Sequence, residues 1–269
     1  MMTTTTTTDR APQPALKDPR LLRDTTVLLK RCLRHVLRSP DTIVTTAVTP
    51  VALLLLFVYV FGGAIEAGDG RYVDYLLPGV LLITVASGVA YTAFRLHTDV
   101  AGGLSERFRS MPIARSALLW AHVLTSVVAN LLSLALVVLI AVLIGFRSSA
   151  GVLAWLAVAG ILVLFVLALT WLAVVPGLLA KSVDGVSGFS YPLIFLPFIS
   201  SAFVPTDGMP GPVRWFARNQ PVTPIVDTLR DLLAGRPAGD EGWVALAWCL
   251  GLLVVAHALA VLTYRRRIG

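Results

Sequence analysis

The sequence predicts an all-α polytopic membrane protein: six transmembrane helices, an N-terminal amphipathic surface helix, and both termini in the cytoplasm. Of 269 residues, 57% are hydrophobic and 14% charged, and the mean hydropathy is +0.81, a balance foreign to soluble domains. The apolar residues gather in runs close to the ~20 residues that a helix needs to cross a hydrocarbon core of about 30 Å. The run 131–144 is apolar almost without a break, which excludes the alternating strands of a membrane β-barrel.

Residues 1–20 contain the threonines Thr3 to Thr8, then Pro12 and Pro14, a polar stretch with nothing to bury that reads as a disordered cytoplasmic tail. No apolar stretch precedes about residue 43, so no cleaved signal is expected and the first span is retained. Over 21–41, Leu21, Leu22, Leu28, Leu29, Cys32, Leu33, Val36 and Leu37 recur at helical spacing. Arg23, Lys30, Arg31, Arg34 and Arg38 lie between them. Such a helix lies on the membrane surface, with leucines in the head-group boundary and cations toward anionic lipid, until Ser39-Pro40 ends it. A soluble helix packed on another subunit is the alternative.

The remainder, 42–269, forms the transmembrane domain, with spans expected at 42–61, 76–94, 118–144, 152–175, 186–204 and 243–262. The fifth is the shortest. Its uninterrupted part, 188–203, covers only about 24 Å as a helix and contains Pro192 and Pro197, so the span is kinked or the chain after it dips back. Six spans put both ends on one face, and basic residues choose which. The N-terminal face holds 16 Lys and Arg, and the other holds 6: Arg71, Arg147, Arg214, Arg218, Arg230 and Arg236. The richer face is cytoplasmic. The excess positive charge is then an orientation signal, and no nucleic-acid partner is needed to explain it. Trp155, Trp215, Trp243 and Tyr264 fall near interfaces, as amphipathic anchors or, alternatively, ligand contacts.

Catalytic constellations are missing. His35, His97, His122 and His257 have no ligand spacing, so no metal is expected, and Cys32 and Cys249 cannot form a disulfide framework. Of the ionisable groups only His257 falls well inside a predicted span, as a packing donor or a relay. The segment Pro176-Gly177-Leu178-Leu179-Ala180-Lys181-Ser182 lacks the second glycine of a phosphate loop. The chain is expected to have no nucleotide site and no cofactor of its own, and active transport would draw on another polypeptide.

Between the second and third spans, Val100, Leu104, Phe108 and Met111 fall at i, i+4, i+8 and i+11, with Glu106 and Arg109 on another line and Pro112 as a stop. This predicts a short amphipathic helix, about 99–112, either a connector on lipid or a contact for a partner. After the fifth span, in the periplasmic segment of about 213–235, Thr223 is a candidate N-cap and Pro224 suits the first helical position. Ile225, Val226, Leu229, Leu232 and Leu233 then form one apolar face before Gly235. A re-entrant or interfacial helix, or a peripheral one, fits this pattern.

Several of these segments together resemble a known family. Tyr75-Leu76-Leu77-Pro78-Gly79 comes first, then Asp99 with Gly102 and Gly103, then Glu106-Arg107-Phe108-Arg109-Ser110-Met111-Pro112-Ile113 and Arg115. Asn219, Pro221, Thr223-Pro224 and Leu229-Arg230 follow, with Gln220 where Asn-Pro is common. They look like the type-2 ATP-binding-cassette exporter permeases, most closely the daunorubicin-resistance-like branch, from about residue 20 onward. The resemblance implies a half-transporter in the bacterial plasma membrane that pairs with a second permease copy or a homologous permease and with two separate ATPase subunits holding ATP and Mg. It implies that 99–112 is a coupling helix seated on the ATPase. Gly103, Leu104, Glu106, Arg107, Phe108, Arg109, Met111 and Pro112 would carry that contact. The expected substrate is a small hydrophobic or amphiphilic compound such as a drug, an antibiotic or a lipid. The alternatives are a lipid-linked polysaccharide exporter, then an ATP-independent carrier or channel, and last an intramembrane enzyme.

Overall fold

The computed structural model describes residues 40–62, 71–102 and 117–268. The surface helix expected with Arg23, Lys30, Arg31, Arg34 and Arg38 falls outside them, as do Gly103, Leu104, Glu106, Arg107, Phe108, Arg109, Met111 and Pro112. The described residues are helical, without a strand among them. In chain order they form α1 (Pro40–Leu56), continued by a π-helical turn Phe57–Phe61, α2 (Tyr72–Ala101), α3 (Ala117–Ile144) and α4 (Val152–Leu179). Then come α5 (Val183–Phe195), a 3-10 turn Leu196–Ile199, α6 (Gly211–Asn219), α7 (Val222–Leu233) and α8 (Gly239–Ile268).

Four of these helices are long and apolar enough to cross a membrane: Tyr72–Ala101, His122–Ile144, Val152–Leu179 and Gly239–Arg266. Ala47–Val60 and Val183–Ile199 are apolar but shorter. Helix α2 is the centre. Its apolar window is 78% buried, against 22–39% for the other three, because α1, α3, α4, α5 and α7 all pack on it. In lipid such contacts gain little from the hydrophobic effect, since the tails are as apolar as leucine, so close packing at small residues decides which faces meet. Gly79 shows this: a Cβ there would lie 2.7 Å from the Ala202 Cβ, so α2 touches the chain after α5 almost backbone to backbone.

The helices outrun the apolar windows that predict them. Helix α2 continues to Ala101, two turns past the expected end at Phe94, because Arg95, His97 and Asp99 can leave the hydrocarbon without breaking the helix. Asp99 to Ala101 are therefore the last turn of a span rather than the start of a separate coupling helix, and the Gly102 N–H closes that turn on the Thr98 carbonyl at 2.9 Å. The fifth span is corrected in the other direction. Ser182 caps α5 by accepting from the Gly185 N–H at 3.3 Å. Pro192 and Pro197 each withhold a helical donor, and the helix tightens to a 3-10 turn and stops at Ile199. Ser200 is extended and its hydroxyl donates to the Pro197 carbonyl at 2.6 Å, so 200–204, expected to be helical, turns back instead.

Candidate functional site

Two polar arrangements stand out in an otherwise apolar bundle. The first is a seam inside the spans. Ser126, Asn130 and Ser133 recur on one side of α3, all buried, facing Thr92 of α2 and Thr170 of α4. The hydroxyls of Thr92 and Ser126 are 2.7 Å apart, and those of Ser126 and Thr170 are 3.4 Å apart. The Asn130 amide donates to the Ser126 carbonyl at 3.0 Å, which leaves its Oδ1 without a hydrogen-bond partner. That oxygen lies where a side chain on residue 88 would begin, 2.2 Å from a Cβ built on Gly88, so it rests against the glycine backbone in a weak C–H contact. Gly88→Ala is expected to push α2 and α3 apart and cost about 2 kcal/mol of thermal stability in detergent. The double change Gly88→Ala with Asn130→Ala should recover most of it; a fully stable single variant would contradict the seam.

The second arrangement is a clasp at the end of the bundle where α2 begins and α3 ends. Helix α7 lies across α2, α4 and α8 there, with Ile225, Val226, Leu229 and Leu233 buried, as its apolar face predicts. Thr223 is not its N-cap. The helix starts at Val222 with Pro221 in the cap position and no side-chain cap. The Thr223 hydroxyl is instead drawn away, donating to the Ala217 carbonyl at 2.6 Å and accepting from the Ser201 N–H at 3.4 Å. Pro224 is consequently the third helical residue, still within the first turn where no donor is needed, and its carbonyl accepts from Thr228 at 2.6 Å. Asn219 closes α6 on itself, donating to the Trp215 carbonyl at 2.7 Å. Gln220 donates to the Ile199 carbonyl at 3.0 Å and so ties the α6–α7 junction to the end of the fifth span.

Arg230 is the hub. Its guanidinium lies over the Tyr75 ring, 3.9 Å from the centroid, pairs with Asp227, and donates to the Ser201 carbonyl at 2.9 Å and more distantly to the Tyr75 carbonyl at 3.4 Å. The Tyr75 hydroxyl donates to the same Ser201 carbonyl at 2.9 Å, and the Ser201 hydroxyl donates to Asp227 at 2.8 Å. One span, the returning chain after α5, and α7 are thereby joined through a single half-buried ion pair. Burial holds the Asp227 carboxyl above the usual carboxylate range, against the opposing pull of Arg230 and the Ser201 hydrogen bond.

At the opposite end, the roots of the segment 103–116 are tied together: Asp99 Oδ2 of α2 is 3.3 Å from His122 Nε2 of α3. His257 stands edge-on to Trp171, with ring centroids 4.5 Å apart, in the apolar cluster of Leu96, Val123 and Val174. Among the described residues no group of acids, histidines and cysteines could hold a metal.

The sequence singled out Asn219, Pro221, Thr223, Pro224 and Arg230, and Tyr75 as part of a motif, but not Ser201, Asp227 or Asn130, which the structure places in these two networks. The Ser126, Asn130 and Ser133 spacing of four and three was a usable signal in an apolar run. Ser201 had none, because its role depends on the chain turning back.

A family model described as ABC-2 type transporter matches residues 23–234. The daunorubicin resistance ABC transporter permease protein of Streptomyces coeruleorubidus is 30% identical over 232 residues, 85% of this chain and 81% of that protein. The probable doxorubicin resistance ABC transporter permease protein of Mycobacterium tuberculosis is 23% identical over 239 residues, 88% of this chain and 86% of its own, in each of two strains.

Proposed function

Since the chain belongs to the ABC-2 type transporter family, we propose that it is the membrane-spanning half of an exporter that moves a hydrophobic or amphiphilic compound out of a bacterial cell. The observation that carries this reading is the family match across most of the chain, together with relatives named for daunorubicin and doxorubicin resistance. A drug, an antibiotic or a lipid fits the apolar helices, which offer many similar surfaces and few polar contacts to select among ligands.

ATP and Mg belong to a separate ATPase subunit in this reading, because the sequence has no phosphate-binding loop. Two ATPase copies and a second permease, identical or homologous, complete the complex. Helix α5 supports a further permease copy: it packs mainly on α2, and Tyr191 and Phe195 on it, with Phe198 in the 3-10 turn that follows, stay exposed. The segment from Gly103 to Pro112 meets the ATPase. Its two roots are locked by Asp99 and His122, so a push on the segment moves α2 and α3 together. At the far end of α2 the clasp passes that movement to α7 and the end of α5, and the outward path opens or closes there. The substrate leaves between the two permeases or sideways into lipid.

Six spans, taken from the apolar runs, put both termini on one face, and the division of basic residues, 16 against 6, makes that face the cytoplasmic one. Reporter fusions after Arg267 and within 105–115 should report cytoplasm, and fusions near Gly68 and Gly235 the outside. A cytoplasmic Gly235 would exclude this topology.

A further inference from the structure

The bundle end that carries the clasp also holds a cavity of about 400 Å³ between the start of α2, the α3–α4 connection and the end of α7. Four arginines line it, Arg71, Arg147, Arg230 and Arg236, with one carboxylate, Asp74. Three of the guanidiniums already have an acid. Arg71 Nε is 3.4 Å from Asp74, Arg230 pairs with Asp227, and Arg236 holds Asp231 at 2.6 Å. Arg147 uses only its backbone N–H, which donates to Asp74 at 3.2 Å, and its guanidinium has no partner among the described residues. Among the described residues, Arg147 is the one guanidinium of the four with no acid paired to it.

We infer that this cavity binds the phosphodiester head group of an anionic phospholipid, with Arg147 as the principal ligand and Arg71 as the second. A single phosphodiester carries one negative charge and so supplies the partner that the Arg147 guanidinium lacks among the described residues. Guanidinium groups suit it because their planar forks take two phosphate oxygens at once. The neighbouring chain favours a lipid over a free ion. The connection that supplies Arg147 and Ser149 is flanked by Leu143, Val152 and Leu153, which are 77%, 80% and 81% exposed, apolar surface for acyl chains directly beside the charge. Phe146 and Leu233 add apolar surface to the cavity wall itself. Ser149 N–H and the Ser148 hydroxyl both donate to the Leu233 carbonyl, at 3.2 and 2.7 Å, so a head group held between Arg147 and Arg71 braces α7 against the starts and ends of the spans. This goes beyond the export function and holds whether or not an ATPase drives the chain.

Lipid retention by the purified full-length chain, read by native mass spectrometry after loading with phosphatidylglycerol or phosphatidylcholine, tests it. Both lipids have the phosphodiester, but the choline cation cancels its charge. Phosphatidylglycerol should be retained about ten-fold more strongly, the scale of one charge-assisted hydrogen bond. Arg147→Gln should lose most of that preference and Arg147→Lys part of it. Arg218→Gln, whose guanidinium pairs with Asp207 away from the cavity, should keep it. Equal retention of the two lipids, or an unchanged preference in Arg147→Gln, would overturn the inference. So would displacement of the lipid by an equal concentration of chain-free glycerophosphoglycerol, which would assign the site to a soluble anion. Glu66 and Asp69 precede Arg71 in sequence and are the competing acids of the chain. If only the Glu66→Gln, Asp69→Asn variant retains phosphatidylglycerol, those carboxylates fill the site and the lipid assignment fails.

Discussion

Replacing Arg230 with alanine is expected to remove about 3 kcal/mol of stability and to release α7 from α2, because the change leaves the Asp227 carboxylate half-buried with no cation beside it. Asp227 and Arg230 side chains are 24% and 16% exposed, so solvent screens the loss only in part. The same substitution removes the donors to the Ser201 and Tyr75 carbonyls and the cation over the Tyr75 ring. Replacing both partners, Arg230→Met with Asp227→Leu, should be milder than Arg230→Ala alone, since no unpaired charge remains. The penalty should also depend on pH with a definite sign. Burial already raises the folded-state pKa of Asp227, and losing Arg230 removes the pull that opposes this. A raised carboxyl takes up its proton as pH falls, and once neutral it no longer needs a cation. The cost of Arg230→Ala should therefore shrink as pH falls toward the raised folded-state pKa of Asp227. Melting in detergent and proteolysis between 206 and 236 read both effects. An unchanged melting temperature with an uncut segment would show that the clasp is ornamental.

Glu106→Ala and Arg109→Ala are expected to have the second large effect, a fall in transport of roughly ten- to a hundred-fold. In the proposed contact with the ATPase, each would contribute a charged hydrogen bond worth about 1.5 to 3 kcal/mol. Insertion and folding should survive, because both residues fall in the sequence between two helices whose facing ends are independently joined by Asp99 and His122. Lys17 and Arg20, in the tail, serve as controls whose replacement should leave transport almost unchanged.

How much the sequence reveals differs between levels of the fold. Apolar runs located the four helices long and apolar enough to cross a membrane and the two shorter apolar ones, since a helix in hydrocarbon must be apolar and satisfy its own backbone. They misplaced the ends, because an apolar window marks where lipid stops and the helix of α2 goes on through Arg95 to Ala101. The α7 face was legible from Ile225, Val226, Leu229 and Leu233, a period set by the helix alone. Its start was not, since the Thr223 hydroxyl is claimed by Ala217 across the α6–α7 junction and by Ser201, which is brought near by the turn at Ser200. Arg230 was singled out through the Leu229-Arg230 pair of the family resemblance. Its partners come from three elements, and no spacing rule joins Tyr75 to Arg230 across 155 positions.

The central claim is that this chain is a permease driven by another protein through the segment from Gly103 to Pro112. ATP hydrolysis by the purified chain, alone and co-expressed with a candidate ATPase, tests it most directly. Hydrolysis should be absent from the chain alone, and present in a complex containing two copies of each subunit. Glu106→Ala and Arg109→Ala should weaken copurification of the ATPase and abolish substrate stimulation of its activity. Robust hydrolysis by the chain alone with contaminants excluded, or both variants retaining full transport and normal copurification, would contradict the account.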